Sequence, residues 1–262
     1  MEILIACKEA PLLECIDFAN TNNLGIEINS FSSPLTFQSD WHGLLEIIKR
    51  QLKVFNGFKA LHGISCQGPH RWDRFYVQEL KKTLEKCLTI AEELETKAVI
   101  YHSMYMPGLT FWKYKDWHEC QVDLWGHVSQ KAQEKEIVIA IENIVDENPK
   151  NIFDVIKDIN LSNLKCCLDF GHINLIASNI PPTEWIESLE PYLYSVHCHN
   201  NNGRYDSHNS LENGTIEYKE IIEKLIECKA PPKIAIETFN LEYAKTSLDM
   251  INTIIKEKQP IS

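Results

Sequence analysis

Residues 137–142 read IVIAIE, and residues 233–237, near the other end of the chain, read KIAIE. Each segment contains a short run of small and β-branched apolar residues and ends on a glutamate. A strand with one face in water has polar residues at alternate positions, whereas a strand of a parallel sheet is covered on both faces and is apolar throughout. The two segments therefore predict buried strands of a parallel sheet.

Six more apolar runs resemble these two, and segments with the spacing of amphipathic helices lie between them. The predicted strands are residues 2–6, 25–28, 58–62, 98–102, 137–142, 164–169, 193–197 and 233–237. The predicted helices are residues 12–21, 41–55, 75–94, 116–135, 152–159, 183–189, 216–228 and 241–256. Eight strand–helix units of about 33 residues each predict an α/β fold, a single (β/α)8 TIM barrel. We expect residues 1–262 to form one domain.

Composition excludes several classes of protein. The chain of 262 residues is 44% hydrophobic, which argues against disordered and collagen-like proteins. Its net charge of −11 argues against nonspecific binding to polyanions. Charged residues such as Glu2 and Lys8 interrupt the apolar N-terminus too early for a signal peptide or a membrane span, so we expect a soluble, cytoplasmic protein without a membrane partner. Neither a Gly-rich nucleotide motif nor a C-x-x-C pair is present.

Six successive predicted strands end in side chains that can bind a metal. These residues are His62, His102, Glu142, Asp169, His197 and Glu237. In a barrel, the C-terminal ends of all strands converge on one mouth, which is where active sites of this fold lie. The six side chains are therefore expected to be neighbours, although they are far apart in sequence.

Three carboxylates in one mouth repel each other unless a cation lies between them. Glu142, Asp169, Glu237 and His197 supply three oxygen ligands and one imidazole, a set suited to Mn²⁺, Mg²⁺, Co²⁺ or Zn²⁺. We predict that these four residues bind a divalent metal ion.

Local motifs add candidates to this cluster. His172 follows Asp169 across a glycine, and in residues 197–208, HCHNNNGRYDSH, Asp206 and His208 are spaced to share a face. His199 has two interpretations, either a residue that supports a ligand from behind or a merely buried neighbour of His197, and the second is favoured.

Three further residues are weaker candidates for substrate contact. His70 lies in the loop after the third predicted strand, Arg204 in the loop after the seventh, and Trp112 in an aromatic segment after the fourth. A surface or packing role for each remains open, and so does an oligomeric contact for the aromatic segment.

Taken together, the motifs resemble the xylose isomerase-like TIM barrel superfamily, which includes sugar isomerases and epimerases and the endonuclease IV-type nucleases. The resemblance covers nearly the whole chain. It depends on LHGISCQGP, VIYHSMYMPG, IAIENIVDENP, CCLDFGHINL, SVHCHNNNGRYDSHNSLENGTIEY and IAIET, in this order at the strand ends. Under this resemblance, Glu142, Asp169, His197 and Glu237 match the common metal ligands of the superfamily.

Similarity to the isomerase and epimerase branch implies a sugar or sugar-phosphate isomerase or epimerase. One metal ion would hold two substrate oxygens and stabilise an enediolate, while Glu142 and Glu237 remove and return a proton α to the carbonyl. His172 and His208 would then contact hydroxyl groups of a small carbohydrate.

The nuclease branch implies an alternative, a zinc-dependent endonuclease acting at abasic sites in DNA. Its three zinc ions would be held by His62, His102 and Glu142, by the four residues of the common site, and by His172, Asp206 and His208. Asn200 departs from that family's pattern, which has an aspartate there. A third reading is a barrel that binds a metal or a sugar without turnover.

Overall fold

Eight parallel strands close into a barrel in the structure, a computed structural model that describes residues 1–6, 8–65, 74–108, 111–176 and 179–258. Each strand pairs with its neighbours in chain order, and the first pairs with the last. The strands are β1 (Ile3–Ile5), β2 (Gly25–Ile28), β3 (Lys59–His62), β4 (Ala98–His102), β5 (Val138–Glu142), β6 (Leu164–Asp169), β7 (Leu193–Cys198) and β8 (Lys233–Ile236). This topology confirms the predicted (β/α)8 TIM barrel.

Nine α-helices surround the barrel in the described part of the chain. They are α1 (Leu12–Asn22), α2 (Trp41–Gln51), α3 (Arg74–Glu93), α4 (Phe111–Gln133), α5 (Lys150–Ile159), α6 (Phe170–Leu175), α7 (Pro182–Leu189), α8 (Tyr218–Glu227) and α9 (Leu241–Lys258). No helix within these ranges has the length and apolar character needed to span a bilayer.

The strands separate two apolar layers. Small residues dominate the layer inside the barrel, which consists of Leu4, Ala60, Ala98, Ile100, Ala140, Cys167 and Ala235. The residues between them, such as Leu61, Ile141 and Ile236, belong to the larger layer packed between strands and helices. Because side chains alternate across a strand, each barrel strand supplies both layers.

The same alternation positions the polar residues of the mouth. Glu142 lies two residues after the interior Ala140, and Glu237 lies two residues after the interior Ala235. Both glutamates therefore continue the inward-facing row at the C-terminal end of the barrel. Strand register adds two pairs at this level, since His102 lies opposite Glu142 and Asp169 lies opposite His197.

The structure departs from the predicted elements in a few places. Helix α6 is absent from the predicted elements; the Asp169 carboxylate caps it by accepting a hydrogen bond from the His172 backbone N–H at 2.7 Å. Strand β8 ends at Ile236, one residue before Glu237. The segment predicted as one helix over residues 41–55 ends as α2 at Gln51, followed by a 3₁₀ turn.

One buried amide organises the long loop after β7. The Asn200 side chain is 1% exposed, and its Nδ2 donates to the carbonyls of Leu211 at 2.7 Å and Ile216 at 3.1 Å. Its Oδ1 accepts from the backbone N–H groups of Asn201 at 2.9 Å and Ile216 at 3.1 Å. Asparagine at this position, where the nuclease family has an aspartate, thus has a structural role, because a carboxylate could not donate the first two bonds.

Replacing Asn200 with alanine should lower the free energy of unfolding by about 3 kcal/mol, because buried backbone groups lose their partners. Urea unfolding of chelator-treated protein measures this loss. Asn202→Ala is the matched control, since Asn202 is exposed in the same loop and its Oδ1 accepts only from the exposed backbone N–H groups of Arg204 and Tyr205; the loss should stay below about 1 kcal/mol. Equal losses in the two variants would contradict the role assigned to Asn200.

Candidate metal centre

Three of the predicted ligands are carboxylates that lie around a ring nitrogen of the fourth, His197. His197 Nδ1 lies 3.3 Å from Glu142 Oε1, 3.3 Å from Glu237 Oε2 and 3.7 Å from Asp169 Oδ2. All four side chains are at most 4% exposed. The three carboxylates thus approach one another in a buried space, as expected from their positions at the strand ends.

Glu142 is the centre of the histidine arrangement. Its Oε2 lies 3.3 Å from His62 Nε2 and 3.8 Å from His102 Nε2, while its Oε1 lies 3.4 Å from His172 Nδ1. Burial opposes ionisation of Glu142, but nearby histidines, His197 foremost, hold its pKa well below the usual range. Burial lowers the pKa of His102 itself to about 4, so its ring is neutral and has a free ligand atom.

These residues fit a divalent cation. Glu142 Oε2, His197 Nδ1 and Glu237 Oε2 are buried and make no hydrogen bond within the described part of the chain. Such orphaned atoms are costly unless an ion or water satisfies them. Ligand atoms of His62, His102 and Glu142 come together in one group, and those of Glu142, Asp169 and His197 in another, each within 4.8 Å. Oxygen and imidazole donors of this kind suit Zn²⁺ or Mn²⁺.

Glu27 is a member of the site that sequence analysis missed. It lies on β2, is 3% exposed, and places Oε1 3.1 Å from His197 Nε2. His197 therefore has carboxylates at both ring nitrogens, in the arrangement by which an outer carboxylate orients a metal-binding histidine. The sequence feature that points to Glu27 is a single charged residue within the apolar strand GIEI, whose four residues are all buried.

His199 lies in the site and is not merely a neighbour in sequence. It is fully buried, and its Nε2 lies 3.2 Å from the Asp169 carboxylate. Its ring stacks on that of His208, with centroids 3.8 Å apart. Gly171 makes room for it, because a Cβ at that position would lie 2.0 Å from His199 Cε1.

His172 and Asp206 extend this outer part of the site. His172 Nδ1 donates to the Asn143 carbonyl at 2.9 Å, and its Nε2 lies 3.7 Å from Asp206 Oδ2. Burial disfavours the protonated ring, but Asp169, Asp206 and Glu142 outweigh it and raise the pKa of His172 to about 10. Asp206 Oδ2 also lies 3.0 Å from His208 Nε2. Asp206 thus links His172 and His208 in the structure.

Lys8 is the second residue that sequence analysis missed. It follows β1, and its Nζ lies 2.6 Å from His208 Nε2 and 3.8 Å from Glu237 Oε1. In the sequence it appeared only as a charge that interrupts the apolar N-terminus.

A polar cavity of 340 Å³ opens above the cluster. Its walls are formed by Lys8, Asn29, Ser32, His62, Ser65, His102, Glu142, Ile144, His172, Asp206 and Glu237. Ile144 is the one apolar side chain in this set. A cavity with so many hydrogen-bonding groups suits a small hydroxylated molecule better than an apolar one.

Of the three weaker substrate candidates, the structure describes only the side chain of Arg204. His70 lies outside the described residues, and so does the side chain of Trp112. Arg204 is exposed and does not line the cavity. Farther along the same aromatic segment, Trp117 is 2% exposed and packs against Tyr105 with ring centroids 5.3 Å apart, so it belongs to the packing outside the barrel.

Similar proteins were found by sequence and by structure. An uncharacterized protein of Methanocaldococcus jannaschii is 28% identical over 187 residues, which are 65% of this chain and 63% of that protein. The chain thus spans less than two thirds of the length of this relative.

Two solved structures share the fold over nearly their whole length. A D-tagatose 3-epimerase-like protein has a TM-score of 0.81 and 21% identity, over 98% of each chain. A protein from Thermus thermophilus, in a structure soaked with ZnCl₂, has a TM-score of 0.80 and 19% identity, over 99% of this chain and 100% of that one.

Most of the chain also matches a protein family of known fold. Residues 19–254 match the family described as the xylose isomerase-like TIM barrel, which confirms the resemblance seen in the strand-end motifs. The chain is a member of the xylose isomerase-like TIM barrel family.

Proposed function

We propose that this protein is a divalent-metal-dependent sugar or sugar-phosphate isomerase or epimerase that transfers a proton α to a carbonyl. The proposal depends mainly on the arrangement of Glu142 and Glu237. Each places a buried carboxylate oxygen 3.3 Å from the same atom, His197 Nδ1. Two carboxylates facing one space can serve as the base and the acid of a proton transfer.

The proposed roles follow from the contacts. Glu142, Asp169 and His197, whose ligand atoms lie within 4.8 Å of one another, hold the ion together with Glu237, whose Oε2 lies 3.3 Å from His197 Nδ1. Glu27 orients His197. A bound divalent ion supplies Lewis-acid polarisation of the substrate oxygens. Glu142 and Glu237 remove and return the proton, while the polar cavity wall binds the hydroxyl groups.

Two further observations support a carbohydrate substrate. The cavity above the cluster is polar and has the size of a small-molecule site. Family membership, with structural similarity to a D-tagatose 3-epimerase-like protein, favours the same class of reaction. The similarity to a structure soaked with ZnCl₂ favours zinc as one of the metals to test.

A zinc-dependent abasic-site endonuclease is the second candidate. It is favoured by the outer groups of ligands, Asp169 with His172 and His199, and His199 with His208 and Glu237, which could hold further ions beyond the inner one. Phosphodiester hydrolysis by metal-bound hydroxide uses such clusters of ions. DNA would be the partner only under this reading.

Metal removal should lower thermal stability. An ion present at about a hundred times its Kd stabilises the folded state by about 2.7 kcal/mol, which raises Tm by about 5 to 10 °C for a chain of this size. We expect Zn²⁺ or Mn²⁺ to produce this rise in chelator-treated protein, with about one tightly bound ion per chain by elemental analysis. An unchanged Tm and no retained metal would contradict the metal site.

Proton transfer should be visible as isotope exchange. Incubation with a panel of ketoses, aldoses and their phosphates in D₂O should place deuterium on the carbon next to the carbonyl of at least one of them, as followed by NMR. Metal bound without exchange of any member would favour the non-catalytic barrel. Nicking of DNA at abasic sites, together with about three zinc ions per chain, would favour the nuclease.

Glu237→Gln should abolish this exchange and leave the fold intact, because the amide cannot accept the proton. We expect a loss of about a thousandfold, within the range that a general acid or base contributes. Far-UV circular dichroism checks the fold. Glu242→Gln is the matched control, since Glu242 lies exposed in the first turn of α9. Turnover retained by Glu237→Gln would remove Glu237 from the catalytic role.

A further inference from the structure

One polar residue at the mouth of the barrel has no part in the metal centre or in the proposed proton transfer. Asn29 directly follows β2 and lines the mouth cavity. Glu27, two positions earlier, points into the barrel, since its Oε1 lies 3.1 Å from His197 Nε2. Because side chains alternate along a strand, Asn29 continues the same inward-facing row at the level of the cavity.

The side-chain amide of Asn29 lacks a partner. Its Nδ2 and Oδ1 are both buried, and neither makes a hydrogen bond to the part of the chain that the structure describes. Native proteins seldom leave both groups of a buried amide unpaired, so a molecule from outside the chain is expected to pair with them. An amide offers both donors and an acceptor, and a hydroxyl group can pair with either.

The backbone around Asn29 is fixed without the help of this amide. The Asn29 carbonyl accepts from the backbone N–H of Ser32 at 3.0 Å and from the Ser32 hydroxyl at 2.9 Å. The Ser32 carbonyl accepts from the backbone N–H of Ser65 at 2.7 Å, which ties this turn to the loop after β3. Since the terminal torsion of an asparagine side chain rotates easily, the amide can turn toward a ligand while its backbone stays in place.

The wall of the cavity is uncharged beside Asn29. Ser32 and Ser65 line the cavity with it, and each carries a hydroxyl group. Lys8 is the one lysine or arginine among the described residues of this wall, and its Nζ lies 2.6 Å from His208 Nε2. Three carboxylates belong to the same wall and would repel a phosphate group. The hydroxyl groups of a sugar pair with amides and hydroxyls without bringing in charge.

We propose that Asn29 is a specificity-determining residue, whose amide binds a hydroxyl group of an unphosphorylated sugar in the mouth cavity. The Ser32 and Ser65 hydroxyls extend this neutral part of the wall. A sugar without the hydroxyl leaves the amide unpaired, and a phosphate ester brings negative charge to an acidic cavity. The inference rests on the proposed function, because it concerns the substrate of the same site.

Sugar binding to Asn29→Ala tests the inference. Zinc-loaded wild type and variant are titrated by NMR with D-fructose, D-tagatose, D-xylose and D-glucose, and with the phosphate esters of these sugars. For the sugar that the wild type binds best, we expect Asn29→Ala to raise Kd about tenfold, as the loss of one hydrogen bond between neutral groups would. The phosphate esters should bind the wild type more weakly than their parent sugars. Zinc content should be equal in the two proteins, because Asn29 is not a metal ligand.

Asn22→Ala is the matched control. Asn22 is exposed at the end of α1, where its Nδ2 donates to the Phe18 carbonyl at 2.8 Å, and its replacement should leave Kd unchanged. Asn29→Leu removes the amide while keeping a side chain of similar size. It replaces Asn29→Ala if circular dichroism shows that the alanine variant does not fold.

Deoxy analogues of the same sugar separate a direct contact from an indirect effect. In the wild type, removal of the hydroxyl group that Asn29 binds should raise Kd about tenfold. In Asn29→Ala, removal of that hydroxyl should have no further effect, because its partner is already absent. Equal losses in the two proteins for every deoxy analogue would show that Asn29 makes no contact with the sugar and would overturn the inference.

Three other results would also overturn it: a Kd for Asn29→Ala within about twofold of the wild-type value, tighter binding of a phosphate ester than of its parent sugar, or no binding of any sugar in the panel. The proposed function fails separately. A sugar that binds the wild type and depends on Asn29, but shows no isotope exchange in D₂O, would refute the proton transfer and leave the role of Asn29 intact. Exchange that proceeds in Asn29→Ala with unchanged sugar affinity would do the reverse.

Discussion

A carboxylate buried in a protein keeps its charge only where positive groups surround it. Glu142 is 1% exposed, and histidines from β3, α6 and β7 lie within 3.4 Å of its two oxygens. The placement of charged residues throughout the mouth of the barrel follows from this requirement. Each strand that brings a carboxylate into the barrel is matched by a neighbour that brings a histidine, and an ion at the centre would complete the balance of charge.

The barrel and most of its mouth could be predicted from sequence, because both follow from local patterns. A buried parallel strand is an apolar run, and its inward row continues to a polar residue at the end, as in Ala140 followed by Glu142. The positions of Lys8 and His199 could not be predicted in this way. Lys8 reaches the site through a loop, and His199 enters it because Gly171, on a different element, leaves space for its ring.

Glu27 was missed for a different reason. Its strand was predicted, but a single charge in a buried strand has no partner that spacing can identify. The partner, His197, is 170 residues away in sequence and meets Glu27 across the interior of the barrel. Helix α6 was missed because its start depends on the Asp169 cap, and sequence analysis assigned that carboxylate to metal binding alone.

The contact between Lys8 and His208 joins residues 200 positions apart, and β1 pairs with β8 to close the barrel. During synthesis, the nascent chain therefore has no complete mouth until its last strand has left the ribosome. Pairing β1 with β8 closes a long loop of chain, and the entropic cost of this closure is met late in folding. Capture of a metal ion by the completed mouth would therefore report that the barrel has closed.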